Sequence, residues 1–206
     1  MRILKSIFSL ILITITLVSC TKNEEDVAPV VASSATNIHA PVTTDYTVNP
    51  PTEAGEFAKF SLATGAVVSG DNWDIAFRGT SILVNGGTLI GLADEPNRTG
   101  VGALTMVTST FDALTTAPDE ASFAQDASGT YALPKGSGNG WYSYNPTNHL
   151  ISPIAGKIIV IKTHDGHYAK VEIISYYKDA DTSLDSGYYS FNYVYNPNAN
   201  DKNLEL

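Results

Sequence analysis

Lys157-Ile158-Ile159-Val160-Ile161-Lys162-Thr163-His164-Asp165-Gly166-His167-Tyr168-Ala169-Lys170-Val171-Glu172-Ile173 is the stretch whose reading decides the fold. Two runs rich in β-branched residues flank an Asp-Gly pair, the pattern of a β-hairpin closed by a tight turn whose central residues need positive φ. With Asp165-Gly166 as a two-residue turn, His164 faces His167, Lys162 faces Ala169, Val160 faces Val171 and Ile158 faces Ile173. That side is mostly apolar and is expected on the core. Lys157, Thr163, Lys170 and Glu172 share the other side with several apolar neighbours.

The same alternation continues on both sides of this hairpin. Period-two runs are expected to form strands at 56–62, 73–78, 81–85, 88–92, 103–108, 140–144, 157–164, 167–177 and 187–195, and no long segment has helical periodicity. Gly86-Gly87 reads as a second hairpin turn. In the last strand Tyr189, Phe191, Tyr193 and Tyr195 share one side, which predicts a core stripe, with an aromatic binding wall as the alternative. These features predict an all-β single domain of antiparallel sheets and hairpins over 56–206.

The amino terminus has a different organisation. Arg2 and Lys5 precede an uncharged, mostly apolar run from Ile7 to Val18, and Leu17-Val18-Ser19-Cys20 ends it. A charged start, a short apolar stretch and a small residue before the cut make a secretory signal peptide over 1–19. The run is shorter than the roughly 20 residues of a membrane-spanning helix. The tetrapeptide resembles a bacterial lipobox, which implies cleavage before Cys20 and acylation of its sulfur and new amino group. Two or more acyl chains anchor a protein stably. Residues 20–55, rich in Thr, Ser, Val, Ala, Asn and Pro, read as the lipid anchor and a flexible tether. Glu24-Glu25-Asp26 resembles the surface-export signal of Bacteroidetes lipoproteins, so the expected location is the outer face of the outer membrane; a solvated charge run is the alternative.

Charge and cysteine content narrow the functional classes. The whole chain carries 12 basic and 21 acidic residues, for a net charge of -9, and cleavage would also remove Arg2 and Lys5. Such a surface lacks the basic patch needed to grip a nucleic-acid backbone. Cys20 is the sole cysteine, so no intrachain disulfide can form and a hydrophobic core must supply the stability. No nucleophile elbow, histidine-rich metal motif or paired carboxylates in a coherent setting occur, and a non-enzymatic role is expected.

Three blocks carry a family resemblance. Trp73-Asp74-Ile75-Ala76-Phe77-Arg78 follows a Gly-Asp-Asn turn, Phe111-Asp112-Ala113-Leu114-Thr115-Thr116-Ala117-Pro118 closes the middle, and Gly140-Trp141-Tyr142 leads to the Lys157–Asp179 region with its Tyr176-Tyr177-Lys178-Asp179-Ala180 end. Together, over roughly 56–195, they resemble the HmuY family of haem-binding bacterial lipoproteins. The resemblance implies an all-β carrier that binds haem and passes it to a TonB-dependent outer-membrane receptor for iron acquisition. A fold-sharing lipoprotein for a non-haem ligand, a glycan or a partner receptor is the alternative. The founding member uses two histidines, one in a long hairpin before the Gly-Trp block and one shortly after that tryptophan. Here the span from Pro118 to Gly140 is short and the second position falls at about Asn145 or Pro146. The expected axial donors are therefore His149, in the same loop, and Met106, on a middle strand, since haem iron accepts His and Met. A weaker metal-binding expectation falls on His164 and His167, whose Cβ atoms would lie roughly 5 Å apart across the turn, with Asp165 adjacent. His39, in the tether, is expected to have no fixed role.

Overall fold

The computed structural model describes residues 27–206, so the signal peptide, Cys20 and Glu24-Glu25-Asp26 lie outside the described residues. The all-β expectation holds, with thirteen strands and two single-turn 3-10 segments among the described residues. A five-stranded antiparallel sheet is ordered β1 (Val31–His39), β13 (Ser186–Asn196), β12 (Tyr168–Tyr177), β11 (Lys157–Lys162), β8 (Ala103–Thr108). A four-stranded sheet is ordered β5 (Ala66–Val67), β4 (Ala58–Ser61), β6 (Ile75–Arg78), β7 (Ser81–Val84). Two further hairpins pair β2 (Thr43–Asp45) with β3 (Thr52–Ala54), and β9 (Tyr142–Asn145) with β10 (Leu150–Pro153).

The two larger sheets share the main core. Phe60, Ile75, Phe77, Ile82 and Val84 from the small sheet meet Ile159, Ile161, Val171, Tyr189, Phe191 and Tyr193 from the large one. Each fully buried apolar side chain of this size contributes about 1.5–3 kcal/mol, so the final-strand stripe is a principal source of stability. Phe77 packs on Tyr189 with ring centroids 4.5 Å apart, and Phe60 meets Phe191 edge-on at 5.2 Å. The stripe is core, as the first of its two readings had it.

Both sheets are also covered on their outer faces. Phe57, Trp73, Ala76, Leu83 and Ile90 cluster behind the small sheet, and Ala117, Val160, Tyr168 and Leu204 behind the large one. A strand buried on two faces needs no polar alternation, which explains the continuous runs Ile158–Ile161 and Ser81–Val84. Lys170 is drawn into the outer cluster, where its Nζ donates to the carbonyls of Phe111 and Leu114 at 2.7 and 2.9 Å over the Phe111 ring. Burial holds the Lys170 ammonium below the usual lysine range, against the pull of nearby Asp112.

Three expectations change. The tether assigned to 20–55 contains β1, β2 and β3, and β1 pairs with β13 along Val31↔Tyr195 to His39↔Tyr188. Of the nine residues of β1 only Ala35 is buried. Main-chain hydrogen bonds, not apolar side chains, hold the strand, so its small polar composition resembles that of a linker. Segment 88–92 forms no regular strand, and Gly86-Gly87 closes no hairpin; Gly87 instead bridges Asp126.

The register of the deciding hairpin also shifts. Ile159 pairs with Val171, Val160 with Lys170, Ile161 with Ala169 and Lys162 with Tyr168. The loop therefore holds three residues, His164-Asp165-Gly166. Gly166 N–H donates to the Thr163 carbonyl at 3.1 Å, Thr163 N–H donates to the His167 carbonyl at 2.8 Å, and Gly166 takes φ +91°. This is a type I turn followed by a left-handed residue, the usual three-residue hairpin. Glycine at one left-handed position fits that loop as well as it fits the tighter one. The slip puts Ile159 and Ile161, rather than Ile158 and Val160, on the main-core side with Ala169 and Val171.

Candidate functional site

Two histidine-bearing tips and two clefts concentrate the chemistry of the described residues. At the first tip, His164 and His167 do not face each other, because the three-residue loop breaks the expected pairing. Each imidazole instead meets its own carboxylate. His164 Nδ1 lies 2.8 Å from Asp74 Oδ1, and His167 Nδ1 lies 2.9 Å from Asp165 Oδ1. As an ionised carboxylate only accepts, each Nδ1 carries the donated proton.

Asp74 enters this arrangement from the strand-like run of the small sheet and is buried to 1% exposure. Its carboxylate also accepts the backbone N–H of Leu62 at 2.7 Å and of His164 at 3.1 Å. It thus ties three elements together. From the other side the loop Gly100-Val101 closes on the tip, with Val101 N–H donating to the His164 carbonyl at 2.8 Å. A Cβ on Gly100 would lie 2.6 Å from the His164 backbone and side chain, so only glycine allows the approach. Asp165 accepts from Thr163 Oγ1 at 2.6 Å. Partial burial raises its carboxyl, but the bonds from Thr163 and His167 and the charges of the two imidazoles outweigh that and hold it below the usual range.

Asp74, His164 and Asp165 each bring one donor atom within 4.8 Å of the others. His164 and Asp165 also line a cleft of about 840 Å³ with Asp71 and Asn72. Both Asp74 oxygens, Asp165 Oδ1 and His164 Nδ1 are engaged within the tip or with the backbone. Sequence reading missed Asp74; its signal was a lone acid inside the apolar run Trp73-Asp74-Ile75-Ala76-Phe77.

The second tip belongs to β9–β10. Trp141 anchors this hairpin: its Nε1–H donates to the Thr80 carbonyl at 3.1 Å, and its ring packs against Tyr176 and Tyr189. Ile151 N–H donates to the Tyr177 hydroxyl at 2.8 Å. Burial pushes the Tyr176 hydroxyl up to about 12. Beyond this rigid base the tip is exposed. His149 sits there in the left-handed region, φ +59°, with Nδ1 2.6 Å from the Tyr144 hydroxyl. That bond fixes the ring while leaving Nε2 uncommitted, the arrangement by which an outer partner orients a metal-ligating imidazole.

Met106 does not share this tip. It pairs with Ile159 on β8, and its side chain packs partly buried against the main core. His39, read as part of the tether, ends β1 and stacks on Tyr188 at 4.4 Å with 14° between the rings. It lines a cleft of about 780 Å³ together with Phe57, Lys59 and Val68.

A family model described as HmuY protein matches residues 53–193. The Tannerella forsythia apo HmuY analogue is 15% identical, with 84% of this chain and 100% of that chain covered and a TM-score of 0.49. A Bacteroides vulgatus protein provisionally named an HmuY-like haem-binding protein is 14% identical, with coverage of 81% and 93% and a TM-score of 0.44. A Bacteroides fragilis protein provisionally named a lipoprotein is 14% identical, with coverage of 69% and 83% and a TM-score of 0.46. Comparison with curated proteins gives no match.

Proposed function

The chain belongs to the HmuY family, and from that premise we propose that it is a lipid-anchored carrier of the outer-membrane surface that binds haem and passes it to a TonB-dependent receptor. The observation that carries this reading is the family match across 53–193, which takes in the two larger sheets except β1 and the last three residues of β13. The lipobox at Cys20 supports the anchor, and the acidic Glu24-Glu25-Asp26 supports the outward face. The protein acts as a carrier and catalyses no reaction.

His149 fits an axial donor: it is exposed, its ring is oriented by Tyr144, and its Nε2 is uncommitted. Bound haem would supply an iron that accepts such a nitrogen. Tyr144 then acts as the positioning residue by holding Nδ1. Met106 fits less well as the opposing donor, because ligation would take it out of its packing against the core. His164 and His167 donate their Nδ1–H groups to carboxylates and brace the hairpin.

Titration of the purified domain with haemin tests the reading. A shifted Soret band is expected for the native protein, and His149→Ala should weaken or displace it. No band with either oxidised or reduced iron overturns the proposal. The packing of Met106 favours one alternative, in which the same fold serves a non-haem ligand or a receptor directly. Receptor binding that is indifferent to haem would establish it.

A further inference from the structure

The sheet that carries the fold also orders the molecule relative to its anchor. The amino-terminal segment is fixed to the domain sooner than β1 itself. Asn198 clamps Ala28 from both sides, its Oδ1 accepting the Ala28 N–H at 2.9 Å and its Nδ2 donating to the Ala28 carbonyl at 2.8 Å. Asn196 Oδ1 in turn accepts from Asn198 Nδ2 and N–H, each at 2.8 Å, so the clamp is part of the end of β13. Only the residues between Cys20 and Ala28 separate the lipid from this fixed point. A chain spans at most about 3.3–3.6 Å per residue, so these eight steps reach no farther than roughly 28 Å.

The clamped end is identified by register. Val31 pairs with Tyr195, and Tyr168 pairs with Asn196. The anchor therefore enters at the end that also carries the His164–His167 tip. His39 and Tyr188 pair at the opposite end of β1, and Tyr177 pairs with Ser186 there. It is at this far end that β9–β10 docks, through Tyr177 and through Trp141 on Tyr176 and Tyr189. At about 3.3 Å per residue, β1 alone separates the two ends by roughly 26 Å.

From this we infer that the protein stands on its membrane with the Asn198 clamp and the His164–His167 tip facing the lipid surface, and presents the His149 hairpin and the His39 cleft outward. The inference rests on lipid attachment at Cys20. It deepens the carrier reading, because a donor or receptor approaching from outside meets the His149 end first. The leash at full stretch reaches about as far as β1 is long, so it biases the clamped end toward the lipid without locking it there.

Native lipoprotein reconstituted into vesicles that carry a headgroup-attached quencher tests the arrangement. With the Cys20 thiol acylated, single cysteines introduced by Ala199→Cys at the clamped end or Thr147→Cys at the far tip can be labelled with one fluorophore. Quenching several-fold stronger at position 199 than at 147 is expected. Insertion of a long Gly/Ser segment between Cys20 and Val27 should abolish that contrast. Equal quenching at the two positions overturns the orientation while leaving haem binding to its own titration. Persistence of the contrast after insertion overturns the leash as its cause. Lipoprotein that fails to float with the vesicles overturns the anchor and the orientation with it.

Discussion

The tip of β11–β12 and the tip of β9–β10 place the same side chain in opposite circumstances. At the first, His164 is held by a buried carboxylate that also caps two backbone groups, and a glycine-lined loop closes over it. At the second, His149 stands exposed on a strained backbone with a single hydroxyl partner. An imidazole pinned through Nδ1 to a buried carboxylate, with its backbone held on both sides, serves the fold. One that is oriented and left open can take a ligand. A histidine's presence on a hairpin therefore says little until the burial of its ring and the partners of its first nitrogen are known.

The sharpest way to break the comparison is Asp74→Ala. It strands the buried Leu62 N–H and the part-buried His164 N–H and Nδ1–H; each unsatisfied buried donor costs about 1–3 kcal/mol. A loss of at least about 3 kcal/mol in urea unfolding is expected. A loss under about 1 kcal/mol would show that the first tip is no more pinned than the second.

A smaller effect is expected at Asp165, where pH is the lever. Its carboxyl is held below the usual range in the folded protein. The stabilisation it provides is therefore complete above the ordinary aspartate value, and it is lost as pH falls from there through the lowered folded value. Urea midpoints measured from about pH 5 to pH 2 should show a fall that Asp165→Asn removes in part. Parallel pH profiles for the two proteins would separate the tip's stability from this carboxylate.

The contrast between the tips was only half legible in the sequence. Strands 103–108 and 157–162 and the aromatic stripe of β13 follow from alternation, because a buried face leaves a period-two trace. The loop length was not legible, since Asp165-Gly166 satisfies both a two-residue and a three-residue hairpin, and that single residue decides whether His164 meets His167 or Asp74. Strand β1 was hidden for a different reason: an edge strand held by backbone bonds leaves no apolar signature, and so His39 passed as tether. Asp74 announces itself only as an acid among apolar neighbours, and its partners are distant in the chain. His149 was found through the Gly-Trp block that precedes it, but its uncommitted Nε2 is a product of Tyr144, five residues away across the hairpin.

The smallest expected change in stability is at His149, and it separates ligand from scaffold most directly. A non-glycine residue in the left-handed region carries roughly 1–2 kcal/mol of steric cost, and glycine would relieve it while losing part of that gain to the greater freedom of the unfolded chain. His149→Gly should therefore leave stability unchanged or raise it by about 0.5 kcal/mol, as read in urea unfolding, despite the loss of the Tyr144 contact. The corresponding change at the first tip, His164→Gly, removes the donor to Asp74 and should destabilise. If His149→Gly destabilised as much as His164→Gly, the Tyr144 contact would be structural and the two tips equivalent. Gain or neutrality at His149, together with a diminished Soret band, marks a residue kept at a backbone cost for the ligand it holds.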